Sequence, residues 1–531
     1  MSDLTNTGVF VVEGLSRDKT IPVHRNAVTA FLGPAPRGPV NHPVQVTGYD
    51  QYRRMFGAPG CHSRLEHLIR QFFANGGESV WIVRVVGSSR RNFIEIPCTE
   101  DALVLRAANP GPLEHIRASV DYDGITALEP GCFNLVLQRV RSVTEPLVEE
   151  QETYNRISID QGDPRYIGHV LAQSRLVMLP TKIPTTAPLP TIRGDAVKVV
   201  SYIDCQVDWP AEAAPDDYDL VGSASATTGL FALNSLPDLD VLCILSGKED
   251  RDIGPVAQLA ADRYCTTRQA MLVVDPPVAW KSVMDAVEGQ GQLRLTSLNI
   301  MTYFPLLRTR SDAGETIIVS AMGAVAGALV ASREKRNLVA RDYRNAVTIR
   351  GRYRPSVDLT NEQSALLARF GVNSLMPASR LQMKFCGDVT MARTGGLTGE
   401  WKALTHRREG LFVVGSIRKS TTWAGRESST PELWSEISEQ VRDFLSKLRS
   451  EGRLAGEFDE QAFYIKCDAD TNARAVGQTG DVTLLAGIAF EQANKFSAFK
   501  FHRAGDSCEI IELGVQSDSF QRNKYSLSSL T

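Results

Sequence analysis

AVTAFLGPAPRGPV at residues 27–40, read together with VWIVRVV at 80–86, decides the fold of this chain. Ala27–Gly33 is a short apolar run. It stops at Gly33-Pro34-Ala35-Pro36-Arg37-Gly38-Pro39, a cluster that can continue neither a strand nor a helix. Leu65, Leu68, Ile69, Phe72 and Phe73 then fall at i, i+3, i+4, i+7 and i+8, the stripe of an amphipathic helix, with Gly76 as its expected C-cap. Val80–Val86 returns as a mostly apolar strand. A strand, a crossover helix and a second strand put two parallel strands in one sheet.

The same rhythm resumes further along. Leu239–Leu245 (LDVLCIL) reads as a buried strand, Val256–Tyr264 as a helix and Ala270–Val274 as a strand ending at Asp275-Pro276-Pro277. Val278–Gly289 reads as a helix and Leu298–Tyr303 as a strand. Alternation of this length argues for a mostly parallel sheet covered by helices. Ile317–Ala331 reads as one apolar helix packed inside this domain, its Gly323 and Gly327 allowing close approach to a neighbour. At about fifteen residues it is short of the roughly 20 that span a bilayer.

Between these blocks, Ala102–Ala108, His115–Tyr122 and Cys132–Val140 are strand-like and separated by Pro/Gly turns, the pattern of a small inserted β-rich domain. Gly395–Gly514 reads as a separate α/β domain. In it, Thr430 is the expected N-cap with Pro431 in the first turn. Leu433, Trp434, Ile437, Val441, Phe444, Leu445 and Leu448 form a buried stripe, and Gly452 is the stop. Gly8–Val12 (GVFVV) and Cys508–Leu513 (CEIIEL) are strands with no hairpin partner nearby. Such strands either edge their own domain or pair with another molecule's sheet.

The 531 residues are enough for about three domains. A net charge of −3 gives no support to nucleic-acid binding. Nine cysteines without a CxxC pair or a Cys/His cluster read as reduced, mostly buried thiols. The start, MSDLTNTGVF, has no signal-peptide character, which points to synthesis and folding in a cytoplasm.

Catalytic constellations are missing. None of the eight histidines lies between Leu239 and Ser332, where a hydrolase built on this sheet would need one. Ser320-Ala321-Met322 stands where a nucleophile could, without a GxSxG elbow or a Gly-Thr lead. Ser246-Gly247-Lys248-Glu249 fails as a phosphate loop. Asp468-Ala469-Asp470-Thr471-Asn472 begins like a calcium loop but lacks its Gly and distal Glu, so an Asx-stabilised turn is the simpler reading. No cofactor or metal is expected.

Gly33–Pro39, Val46–Gly57 (VTGYDQYRRMFG from residue 46) and Gln71–Gly77 (QFFANGG) resemble, in order and spacing, the opening of the contractile phage tail sheath proteins. The likeness continues through LDVLCILSG, LVVDPP, Tyr303–Pro305, SAMGAVAGALVASRE, the Leu433-Trp434 helix, EGRLAG and AFYIKCDADTN, and is loosest in the insertion. It implies an α/β, multi-domain fold. A central, mostly parallel subtilisin-like core would carry an inserted β-rich domain, a C-terminal α/β domain and strand arms at both ends. The implied boundaries are 1–26 for the N-terminal arm, 27–91 and 191–394 for the core and 92–190 for the insertion. Residues 395–503 would form a tube-facing domain, and 504–531 the C-terminal arm.

The resemblance further implies a sheath subunit that polymerises around an inner tube and contracts to drive that tube through a cell envelope. Its partners would be other copies in six-fold or helical layers, the tube protein, and baseplate and terminator proteins, with no direct nucleic-acid or membrane contact. Its place would be the virion tail or a phage-like particle, assembled in a bacterial host. Gly8, Val9, Phe10, Val11 and Val12, with Glu509, Ile510, Ile511, Glu512 and Leu513, would be the inter-subunit strands. Arg442, Lys447, Arg449 and Arg453, on one flank of the Pro431–Glu451 helix, would face the tube. The alternatives are an α/β hydrolase or subtilisin-like protease, and a sheath of the two-chain type VI kind.

Overall fold

The computed structural model describes residues 19–23 and 27–517, apart from loop stretches of which 192–200, 335–347 and 393–402 are the longest. The chain forms two compact units, Asn26–Leu404 and Met1–Arg25 with Thr405–Thr531.

The larger unit starts with β1 (Thr29–Gly33), β2 (Val44–Val46), α1 (Tyr49–Met55), α2 (Arg64–Ala74) and β3 (Val80–Arg84). β1 and β3 pair in parallel, Ala30 opposite Trp81, as the opening stretch requires. The turn cluster after β1 folds around Arg84, whose side chain is fully buried. Its Nε donates to Ala35 O at 2.8 Å, its Nη1 to Gly38 O and Pro110 O at 2.7 Å each, and its Nη2 to Pro36 O at 3.3 Å. Arg37, also buried, pairs with Glu149 at 2.6 Å. The Pro-rich loop therefore supplies the carbonyls that keep a buried guanidinium hydrogen-bonded.

The insertion holds β4 (Phe93–Pro97), β5 (Ala102–Ala107), β6 (Ile116–Asp121), β7 (Cys132–Val140), β8 (Val148–Ser158), α3 (Ile167–Leu171), β9 (Val177–Met178) and β10 (Ile203–Asp204). They form two antiparallel sheets, β10-β6-β7-β8 and β4-β5-β9, closed on one apolar core.

The chain then returns through α4 (Asp217–Val221), a 3-10 turn (Gly229–Ser235), β11 (Val241–Ile244), α5 (Pro255–Arg268), β12 (Met271–Val274), α6 (Val283–Gln292) and β13 (Ile300–Phe304). β14 (Leu307–Arg310), β15 (Thr316–Val319), α7 (Met322–Glu334), β16 (Thr348–Arg350), β17 (Arg354–Pro355), α8 (Asn361–Arg369), β18 (Asn373–Pro377) and β19 (Gln382–Cys386) complete the unit. The main sheet runs β16-β19-β18-β13-β12-β11-β1-β3-β2. It is parallel from β18 to β3 and antiparallel at both margins.

α5 covers one face through Ala257, Ala261 and Cys265, with α6 and α8 beside it. α2 and α7 cover the other. A Cβ on Gly323 would lie 2.1 Å from Leu68 O, and one on Gly327 2.4 Å from Phe72 O, so both glycines are what lets α7 seat on α2. The expected helix at Ile317–Ala331 is corrected at its start. Thr316, Ile317, Ile318 and Val319 are β-branched and form β15 against β14, and the helix starts only after Ser320.

The smaller unit contains α9 (Leu404–Ser420), a 3-10 turn (Thr422–Arg426), α10 (Pro431–Ser450), α11 (Asp459–Ala462), β20 (Phe463–Lys466), α12 (Ala469–Asn472), β21 (Asp481–Ile488), β22 (Lys495–Ala504) and β23 (Ser507–Ser517). Thr430 caps α10, its hydroxyl accepting from Leu433 N–H, with Pro431 in the first turn, and the expected stripe is buried. Asp468 caps the single turn α12 by accepting from Asp470 and Thr471 N–H, as an Asx turn does. β20-β21-β22-β23 is an antiparallel sheet. Cys508–Leu513 was expected to lack a local partner. That is corrected: β23 pairs with β22 from Ala504 opposite Ser507 to Lys495 opposite Ser517, because Ala504-Gly505-Asp506-Ser507 makes a tight hairpin. No helix among the described residues is long and apolar enough to cross a membrane.

Candidate functional site

Four places in the molecule bear on function, three of them in the smaller unit. The first is the point where the N-terminal run is held. Lys19 places its ammonium 3.5 Å from the centre of the Trp423 ring and pairs with Glu436. Gln440 donates to Lys19 O, Ile21 is 2% exposed, and Arg453 Nη1 donates to Val23 O at 2.7 Å. Gly8, Val9, Phe10, Val11 and Val12 lie outside the described residues. Lys19, seven residues beyond Val12 along the chain, is fastened to the unit that carries β23.

β23 is the edge of its sheet, and among the described residues nothing pairs with its outer side. Glu509 and Ile511 are exposed and Ile510 and Leu513 are half-buried, while Glu512 holds Arg407 of α9 at 2.5 Å. A long edge with apolar residues and neither Pro nor Lys is open to pairing with a further strand.

The flank of α10 differs from expectation. Arg442 and Lys447 are exposed, and their side chains have no hydrogen bond or ion pair among the described residues. Arg449 and Arg453 are tied within the unit. Arg449 binds Asp459 at 2.5 Å and Glu457 O at 2.7 Å, and Arg453 binds Glu409 at 2.5 Å while its guanidinium covers the Phe412 ring. Their position at the border of the buried stripe brings the turn after Gly452 and α9 within reach. What the exposed face of α10 mainly presents is a row the sequence reading missed. Glu432, Glu436, Glu439 and Asp443 fall at i, i+4, i+7 and i+11, a spacing visible in the sequence itself. The Glu432 carboxyl is held below the usual range by the backbone N–H at the helix start.

The fourth place is the cleft at the carboxyl ends of β11, β12 and β13, where open α/β sheets bind ligands. A cavity of about 230 Å3 lies there, lined by Arg64, Asp252, Asp275, Trp280 and Thr302 among others, with no histidine. Ser320 donates its hydroxyl proton to Asp275, whose other oxygen is 3.4 Å from Arg64. Burial pushes the Asp275 carboxyl above the usual carboxylate range, and Arg64 opposes it. A serine nucleophile needs a base poised near neutrality and a group orienting that base. Ser320 has a carboxylate in place of an imidazole. Beside it, Gly247 approaches Pro215 O so closely that a Cβ would fall 1.9 Å away, a packed loop and no phosphate cradle. Among the described residues no three His, Cys, Asp or Glu side chains are grouped to hold a metal ion.

No protein-family profile and no curated protein matches the chain. Solved structures do. The sheath tail protein of Listeria innocua superposes with a TM-score of 0.55 at 12% identity, over 93% of this chain and 96% of that one. The sheath of the PVC extracellular contractile injection system, in its contracted state, gives 0.52 at 14%, over 92% and 95%. The helical sheath of the anti-feeding prophage, also contracted, gives 0.52 at 13%, over 92% and 96%. The chain thus has the fold of contractile sheath proteins along nearly its whole length, with the α/β core, inserted β-rich part and C-terminal unit that the sequence resemblance implies.

Proposed function

We propose that this chain is the structural subunit of a contractile sheath. Copies assemble in helical or six-fold layers around an inner tube, in a phage tail or a phage-derived injection particle, and repack to a shorter, wider lattice that drives the tube through a target envelope. The observation that carries this reading is the sheath fold over 92% of the chain, seen in proteins solved as assembled sheaths. Baseplate association is supported by a further match at TM-score 0.50, to a component of the anti-feeding prophage baseplate.

The arms follow from the smaller unit. A strand at Gly8–Val12, leaving from the anchored Lys19, adds to the open edge of β23 in another copy by main-chain hydrogen bonds. The exposed face of α10, acidic apart from Arg442 and Lys447, is the proposed tube contact, held by charge that salt screens. Contraction draws on the free-energy difference between two packings, a few kcal/mol per subunit summed over the lattice, and needs no nucleotide. On this reading the chain is structural, and the cleft offers Ser320 a carboxylate but no imidazole.

Deleting residues 1–14 leaves a folded chain with an unchanged melting temperature that forms no tubes. Sheath-like tubes from that truncation overturn the arm assignment.

A further inference from the structure

The sheet β15-β14-β17 carries a charge pattern that no ion pair among the described residues balances. Arg308 stands directly opposite Arg354 across β14 and β17, and Arg310 lies on the same face two residues on. All three are exposed, and none has an ion pair among the described residues. On the other side Arg308 faces Ile318 of β15, which is 55% exposed. Like charges directly opposite in an antiparallel pair destabilise it. Glu315, just before β15, has a contact of its own. The face is therefore an exposed apolar side chain ringed by arginines.

The same unit carries the complement. Around α4, Asp216 and Asp219 cap each other's backbone N–H groups in a capping box, and between them Tyr218 is 73% exposed. Asp217 accepts from Gly254 and Ala257 N–H at the start of α5, which ties α4 to the helix that carries the exposed Val256 and Leu259. The two patches belong to opposite halves of the main sheet. β17 packs on β18, whereas α4 packs on the 3-10 turn that rests on β3.

We infer that the arginine face of one copy docks on the Tyr218 surface of a second copy. Arg308, Arg310 and Arg354 then meet Asp216 and Asp219, and Ile318 packs against Tyr218 and Leu259. Two different patches make a head-to-tail contact, which propagates into a ring or a helix and does not close as a two-fold dimer. The inference deepens the sheath reading and rests on it.

The test uses the full-length chain, with assembly followed by sedimentation and electron microscopy, and melting temperatures confirming that each variant is folded. R308E/R354E raises the critical concentration for assembly about tenfold or more, since like charge now faces Asp216 and Asp219. L259K raises it too, by repelling the arginines. The triple variant R308E/R354E/L259K recovers part of the loss, because the new glutamates meet the new lysine. Wild-type assembly by folded R308E/R354E overturns the contact, as does a triple variant no better than the double. If the wild-type chain forms no tubes, the sheath reading fails separately. Low-salt sedimentation then decides the contact alone: self-association abolished by R308E/R354E supports it, and no self-association overturns it.

Discussion

Arg84 has no solvent exposure, and it is tolerated because its guanidinium donates to four main-chain carbonyls from two stretches of chain. Replacing it strands those carbonyls in a dry interior. Arg84→Met is expected to destabilise the larger unit by about 3 kcal/mol or more, read from the urea midpoint; an unchanged midpoint contradicts the role. The sequence displayed the loop as a turn cluster but gave no sign that an arginine fifty residues away organises it, since the bonds go to backbone atoms that no side-chain pattern reports. Asp275 sets a second residue-scale expectation. Its carboxyl is raised by burial, so the folded chain holds this proton more tightly than the unfolded one. The stability it contributes is full below the ordinary carboxylate range and is lost as pH rises through the raised value. Asp275→Asn therefore flattens the decline in melting temperature as pH rises above about 4; parallel profiles for variant and wild type contradict it.

Among the elements, the long periodic ones were legible and the strand edges were not. α10 follows its stripe and cap because Thr430, Pro431 and the apolar spacing all act locally. The pairing of β23 was not legible because its hairpin turn is only Gly505-Asp506, with no long turn cluster to mark it. That pairing makes a distinction measurable. Truncation after Gly505 removes the edge strand and the Glu512–Arg407 pair, and lowers the melting temperature of the smaller unit, whereas deletion of residues 1–14 does not. Equal melting temperatures for the two truncations contradict a structural role for β23 in its own chain. In α7, Gly323→Ala forces a Cβ against Leu68 O. It is expected to cost about 1–3 kcal/mol despite the gain of about 1 kcal/mol in helix propensity, read by chemical denaturation; a stabilised variant contradicts the close seating of α7 on α2.

For the molecule as a whole, the parallel sheet and the insertion were readable because each strand announces itself by an apolar run between turn residues. Assembly surfaces were less readable. Arg449 and Arg453, expected on the tube-facing flank, are engaged by Asp459 and Glu409, and the arginine face of β14 and β17 shows only when two distant segments are laid side by side. Thiol chemistry behaves as a whole-molecule property too. Of the described cysteines, Cys386 and Cys508 are partly exposed, and Cys243 and Cys265 are buried with their thiols pushed up. Iodoacetamide on the folded chain labels the first two and spares the second pair, and labelling of Cys243 under native conditions contradicts the packing of β11 and α5. The central claim is self-assembly, and negative-stain electron microscopy of the purified full-length chain tests it most directly. The account predicts hollow tubes with a regular helical lattice; monodisperse monomers across concentration and salt would contradict it.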